Sequence, residues 1–209
     1  MNFSLNEVEA TAKRAARGAG YSWGIAEEAA KATRWLCHLG LDGSQALAKL
    51  LTRDFASNLK IHAPLAVGGK WCAEHDLCPL LTGAHLSDFA SKLSGNTVEL
   101  QNVACPTLLL PFAASAARAL NLCLTIECDG IETVTNGADV QVSRDIPARA
   151  TKMLVYEVGR LTLPRTRHSR FSPNLEDWEI LNQFAHRTFA PATDESRLLG
   201  AGSGLSDND

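Results

Sequence analysis

Between Leu122 and Thr135 two short runs flank an Asp129-Gly130 pair. Leu122, Leu124, Ile126 and Cys128 alternate with Cys123, Thr125 and Glu127, the period of a strand with one buried face. Asp-Gly suits a two-residue turn because both central positions of the favoured hairpin turn need positive φ. Two residues leave no room for a crossover, so the flanking strands must pair antiparallel. Asn136-Gly137 supplies a second turn leading to Val140 and Val142. Met153 to Leu163 adds a strand, with Leu154, Tyr156 and Val158 opposite Met153, Val155 and Glu157. Thr97 to Leu110 is also rich in Val, Leu and Thr, but Pro106 limits any long central strand there. Strands chained by tight turns exclude a doubly wound parallel sheet.

The first 57 residues have the other period. Ser4 and Glu7 form a capping box, and Leu5, Val8, Ala12, Ala15 and Ala16 make one stripe of a helix ending at Gly18 or Gly20. Ser22 caps a second helix, Trp23 to Leu39, which buries Ile25, Ala29, Ala32 and Leu36. A third follows Gly43-Ser44, with Leu47, Leu50, Leu51 and Phe55 on its apolar side. Asn58 to Gly83 shows no dominant period and reads as loop with short extended pieces; a short helix follows at about residues 86–93. Pro111 opens an alanine-rich helix to Leu120, and Asn174 to Phe189 is the last clear helix, ended by Pro191. The expected class is α+β: an N-terminal helical unit on a mainly antiparallel sheet, with a late helix and an ordered Gly-rich C-terminal segment. One domain is expected, divided into a helical unit (1–57), an α+β body (58–191) and a C-terminal segment (192–209).

Composition narrows function by exclusion. A net charge of −3 over 209 residues lacks the basic excess of a nucleic-acid binder. No apolar run approaches the roughly 18 residues of a membrane span. The N-terminus reads as a helix start and not as a secretory signal, so a cytoplasmic location is expected. Six cysteines fit that compartment as free thiols, and Cys37, Cys105, Cys123 and Cys128 sit among apolar neighbours.

The residues from Phe184 to Asp209 crowd titratable groups before Gly200-Ala201-Gly202-Ser203-Gly204. Glycines at this spacing allow close backbone approach, so successive N–H groups can line an anion. No lysine follows as in a Walker loop, and the segment opens no helix after a strand, so neither nucleotide fingerprint applies and no cofactor is indicated. The expected site has Arg187 and Arg197 holding an anionic group, Gly202 and Ser203 adding donors, and His186 or Glu195 as acid–base group. Cys72, His75 and Cys78 have a Cys-x-x-His-x-x-Cys spacing that can hold zinc, but a structural site needs a fourth ligand, and His62 and His85 are nearest. Without metal, His75 beside Glu74 and Asp76 is a solvated surface group. Asp42, Asn136 and Asp129 are explained as cap and turn residues; Arg165 to Arg170 can bind an anionic substrate through guanidinium forks, but a solvated basic loop is the simpler account.

Two blocks resemble a known family. Ala15-Ala16-Arg17-Gly18-Ala19-Gly20-Tyr21-Ser22-Trp23-Gly24 with Ala26-Glu27-Glu28-Ala29 resembles the opening of an uncharacterised proteobacterial family, domain of unknown function 3726. Arg187-Thr188-Phe189-Ala190-Pro191-Ala192-Thr193 and Gly200 to Gly204 resemble the same family's end. The resemblance implies no activity, but it implies that the C-terminal segment belongs to the family's design. Over the first forty residues Ala26-Glu27-Glu28-Ala29 and Gly40-Leu41-Asp42-Gly43 also resemble the malate/L-lactate dehydrogenase family that lacks a Rossmann fold. That family follows its Asp with Ser-His, whereas Gly43-Ser44-Gln45 stands here, so its activity is not carried over. The sequence therefore points to a small-molecule enzyme or binding protein for an anionic metabolite, with a pocket closed by the C-terminal segment. The competing class is a non-catalytic homo-oligomeric subunit whose C-terminal arm contacts a partner chain.

Overall fold

The structure, a computed structural model, describes residues 1–67, 69–157 and 164–189. Its first helix, α1 (Leu5–Gly18), starts where the capping box requires: the Ser4 hydroxyl accepts the Glu7 N–H at 3.2 Å and the Glu7 carboxylate accepts the Ser4 N–H at 2.7 Å. Leu5, Val8, Thr11, Ala12, Ala15 and Ala16 are buried on one face. Because most are small, α1 lies close to α2 (Trp23–His38) on one side and to the last helix, α6 (Leu175–His186), on the other. Ala26, Ala29, Ala30, Ala32 and Leu36 form the buried stripe of α2, while Ile25 is only half-buried. The third helix, α3 (Gly43–Leu51), is capped by Asp42, whose carboxylate accepts the Gln45 N–H at 2.8 Å. A Cβ on Gly43 would lie 2.5 Å from the Thr33 carbonyl, so glycine lets α3 start against α2.

Among the described residues seven strands form the main sheet: β2 (Leu65–Val67), β3 (Lys70–Cys72), β4 (Val98–Ala104), β5 (Leu124–Cys128), β6 (Ile131–Thr135), β7 (Val140–Val142) and β8 (Arg149–Glu157). Their spatial order is β2-β3-β4-β8-β5-β6-β7, and of the pairings between these strands only β3–β4 is parallel. A two-stranded ribbon of β1 (Phe3–Ser4) and β9 (Arg170–Phe171) ties the N-terminus to the segment before α6. The fold is α+β, as the mixture of periods implies.

The hairpin turn forms as expected, with Asp129 at φ 47° and Gly130 at φ 85°. Its carboxylate also accepts the N–H groups of Thr151 and Lys152, each at 2.9 Å, so the turn fastens the β5–β6 hairpin to β8. The Asn136-Gly137 turn packs on α5 (Leu110–Leu120): Arg118 donates to the Gly137 carbonyl at 2.6 Å. Gly137 has φ 90° and a Cβ there would lie 2.7 Å from the Arg118 Cβ, so both space and backbone demand glycine.

One sheet face carries the core. Val98, Leu100 and Val103 of β4, Met153 and Val155 of β8, and Leu124, Ile126 and Cys128 of β5 are buried. Opposite them, on the other face, Glu99, Gln101 and Leu154 keep partial exposure and Lys152 is exposed. The helix α4 (Pro79–Asp88) packs on α5, where the Phe112 ring fills the space a Gly83 side chain would need.

Three expectations shift. The helix expected at residues 86–93 starts at Pro79, with Cys78 as its cap, because proline in the first turn costs no hydrogen bond; a one-turn extension, Ala90–Lys92, follows it. The strand expected from Met153 begins at Arg149, since the Asp129 carboxylate anchors Thr151 and Lys152; residues 158–163 lie outside the described residues. The extended stretch expected at Thr97–Leu110 ends at Ala104, where Cys105 takes φ 44° and Pro106 opens a helical turn (Pro106–Leu109) into α5.

Candidate functional site

The region read as irregular supplies His62, Glu74, His75 and Asp76 to one polar cleft. After α3, Arg53 is followed by Asp54 at φ 54° and by a helical segment, Phe55–His62, kinked at Asn58. The loop from β3 to α4 is laced to that segment by backbone bonds: His75 N–H to the Ile61 carbonyl at 3.0 Å and Cys78 N–H to the His62 carbonyl at 3.0 Å. It is laced to β4 as well, through Leu77 N–H to the Asn102 carbonyl at 2.7 Å. Asp76 is thereby held between the Phe55–His62 segment and β4.

On Asp76 two arginines converge. Arg149 at the start of β8 donates through Nε to both carboxylate oxygens, at 2.9 and 3.0 Å, and through its terminal nitrogen to Asn102 Oδ1 at 2.9 Å. Arg53 stands 3.5 Å from the same carboxylate. Asn102 takes φ 53°, a conformation that costs about 1–2 kcal/mol in a non-glycine residue and is tolerated best by Asn and Asp. That turn in the backbone breaks the regular run of β4 and sets Asn102 beside Arg149.

His62 faces the same space. Its Nδ1 lies 2.7 Å from the Asp76 carbonyl oxygen, which can only accept, so Nδ1 carries a proton and the neutral form of the ring has its lone pair on Nε2. The ring stacks on Phe55 with centroids 3.8 Å apart, and His75 lies 6.0 Å away, centroid to centroid. Together Arg53, Ile61, His62, Glu74, His75, Asp76, Asn102 and Arg149 line an open cleft of about 600 Å³. Arginine forks of this kind bind carboxylate or phosphate, and an oriented imidazole beside them can exchange a proton with the bound group.

A second cleft of about 440 Å³ lies between α3 and the chain entering β8, with Asp42, Gln45, Lys49, Cys105 and Asp145 on its wall. Burial raises the Asp42 carboxyl, and Asp177 adds to that; the cap bond to Gln45 opposes it. Burial also raises the Cys105 thiol against the pull of Arg53 and Lys49, which favours the thiol over a thiolate nucleophile.

The expected site residues fall elsewhere. His186 and Arg187 sit exposed at the end of α6, His186 edge-on to Phe189 at 5.1 Å and Arg187 over the Phe184 ring at 4.4 Å. Glu195, Arg197, Gly202 and Ser203 lie outside the described residues. Cys72 is half-buried in β3, His75 is in the polar cleft, and Cys78 is buried, 3.6 Å from the Tyr21 hydroxyl. Among the described residues no three His, Cys, Asp or Glu side chains form a group that can hold a metal ion. The basic loop is tied down rather than solvated throughout: Arg167 pairs with Asp139 at 3.3 Å and Arg170 donates to the Asn2 carbonyl at 2.6 Å. Sequence reasoning missed Arg53, Asn102 and Arg149, took His62 only as a possible zinc ligand, and read His75 as a zinc ligand or a solvated surface group. Asp76 and Arg149 are 73 positions apart, and no local pattern links them.

Residues 3–80 match a family described as protein of unknown function (DUF3726). The matched span contains Arg53, His62, His75 and Asp76 and ends before Asn102 and Arg149. No match is found among curated proteins.

Proposed function

We propose that the protein is an enzyme or binding protein for a small anionic metabolite, and that the anion sits in the cleft around Arg53, Asp76 and Arg149. The convergence of two guanidinium groups on one half-buried carboxylate beside an oriented histidine carries this reading. Asp76 stabilises the arginines in place, while the donors it leaves unused remain available to an oxyanion at the cleft mouth. The chain from Ala190 to Asp209 enters the proposal as the element that closes the pocket, with Arg197, Gly202 and Ser203 as added donors. The location proposed is cytoplasmic.

The test is binding of a panel of phosphorylated and carboxylated metabolites by calorimetry to the wild type, to Arg149→Gln and to a chain truncated after Leu199. Loss of one charged hydrogen-bonding partner should weaken a bound anion about tenfold or more in Arg149→Gln. Unchanged affinity in that variant rules out this cleft. Truncation should weaken the same ligand without changing the mass in solution.

A second reading has an observation of its own. Trp23 and Phe189 are exposed at 61% and 53%, with Lys13 and Arg17 over the Trp23 ring and Arg14 over Phe189. Such a cationic and aromatic surface suits contact with a second copy through the C-terminal arm. A truncated chain that falls from oligomer to monomer with ligand binding intact would favour this homo-oligomeric, non-catalytic role.

A further inference from the structure

The polar cleft contains its own charge balance. Arg53 and Arg149 bring two positive charges, Glu74 and Asp76 two negative ones, and the sum over its fixed charges is zero. The remaining titratable groups on its wall are His62 and His75. An anion entering this space meets oriented donors but no net positive charge, and its lost hydration is offset only in part. A proton taken up by an imidazole supplies the missing charge, because a nearby anion favours the charged form of histidine.

The two histidines are not equivalent. His75 is exposed, and its one ring contact among the described residues is the tilted approach to His62. His62 is half-buried, stacked on Phe55 and held through Nδ1–H by the Asp76 carbonyl. Protonation at Nε2 leaves that bond in place and requires no rotation of the ring. The charged and titratable groups around it are Arg53, Glu74, His75, Asp76 and Arg149, drawn from every element that lines the cleft.

We infer that oxyanion binding in the cleft between Arg53 and Arg149 is coupled to proton uptake by His62 at Nε2. This rests on the proposed anion site and goes beyond it. It makes the cleft a proton-linked oxyanion site, tighter in mild acid than in mild base. Binding raises the affinity of His62 for its proton, so the gain is present while the ring is charged and is lost as pH rises through its titration.

Sulfate is a suitable probe, since it does not itself titrate across the range in which imidazoles do, about pH 5 to about pH 8. Calorimetry of the full chain in two buffers of different ionisation enthalpy counts the protons taken up per sulfate bound. The wild type should take up a measurable fraction of one proton near neutral pH and bind sulfate at least about threefold more tightly at about pH 6 than at about pH 8. His62→Asn, whose side-chain amide keeps the donor to the Asp76 carbonyl, should bind sulfate with no proton uptake and a flat pH profile. His62→Gln serves as a second variant, with thermal melts of both confirming a folded chain, and His75→Gln should behave as the wild type. Sulfate binding without proton uptake, or uptake that persists in both His62 variants, overturns the coupling while leaving the anion site standing. A wild type that binds no sulfate overturns the anion site itself.

Discussion

Asp42 shows how one residue can serve a cap and still carry a cost. Its carboxylate closes the start of α3 through the Gln45 N–H, yet burial and the neighbouring Asp177 raise its proton affinity above the ordinary 3.8. A folded-state value above the unfolded one means that the folded chain binds the proton more tightly. Stability from this group therefore falls as pH climbs from about 4 through the raised value and levels off above it. Asp42→Asn retains the cap and should erase that slope, leaving stability at neutral pH unchanged or slightly higher. Asp42→Ala should cost about 1 kcal/mol at neutral pH. Urea midpoints measured from about pH 4 to about pH 7 check both outcomes.

At the scale of elements, the small-residue stripe of α1 decides how the helical layer assembles. Gly18, at the end of α1, lies directly against α6: a Cβ there would overlap the Phe184 carbonyl oxygen, a backbone atom that cannot swing aside. Gly18→Ala should push α1 and α6 apart and destabilise by about 1–3 kcal/mol. Gly24, on α2, has nothing within 4 Å of its Cβ position. Gly24→Ala should be neutral or stabilise by about 0.5–1 kcal/mol through helix propensity. Thermal melts of the pair separate packing from propensity. The sequence marked Gly18 as a possible helix stop, and that is its place, but the reason for glycine there is the neighbour 166 positions away.

Across the whole molecule, burial sorts the cysteines. Cys37, Cys78, Cys105 and Cys128 are buried, Cys72 and Cys123 half-buried, and all six are free thiols. Burial pushes Cys37 up to about 11 and Cys128 up to about 12, and raises Cys78 and Cys105 as well. Alkylation of the native chain at mildly basic pH should therefore reach Cys72 and Cys123 and spare the other four, with all six labelled in denaturant. Mass spectrometry of the labelled peptides reads this directly. Labelling of Cys105 at a rate near that of Cys72 would contradict the packing of the β4–α5 junction.

The sequence by itself determined the parts governed by neighbours along the chain. Ser4 with Glu7, Ser22, Asp129-Gly130 and Asn136-Gly137 act through hydrogen bonds and φ preferences within a few residues, so their caps and turns were readable, and with them the antiparallel core and the α+β class. The polar cleft was not readable. Arg53, His62, Asp76, Asn102 and Arg149 come from a helix end, a helical segment, a loop and two strands, and each looks ordinary in its own window. Only the order β3-β4-β8, with β3 parallel to β4, brings the loop carrying Asp76 beside the first residue of β8. Side-chain chemistry assembled across such distances depends on strand pairing, which is fixed by burial of the whole sheet rather than by any local pattern.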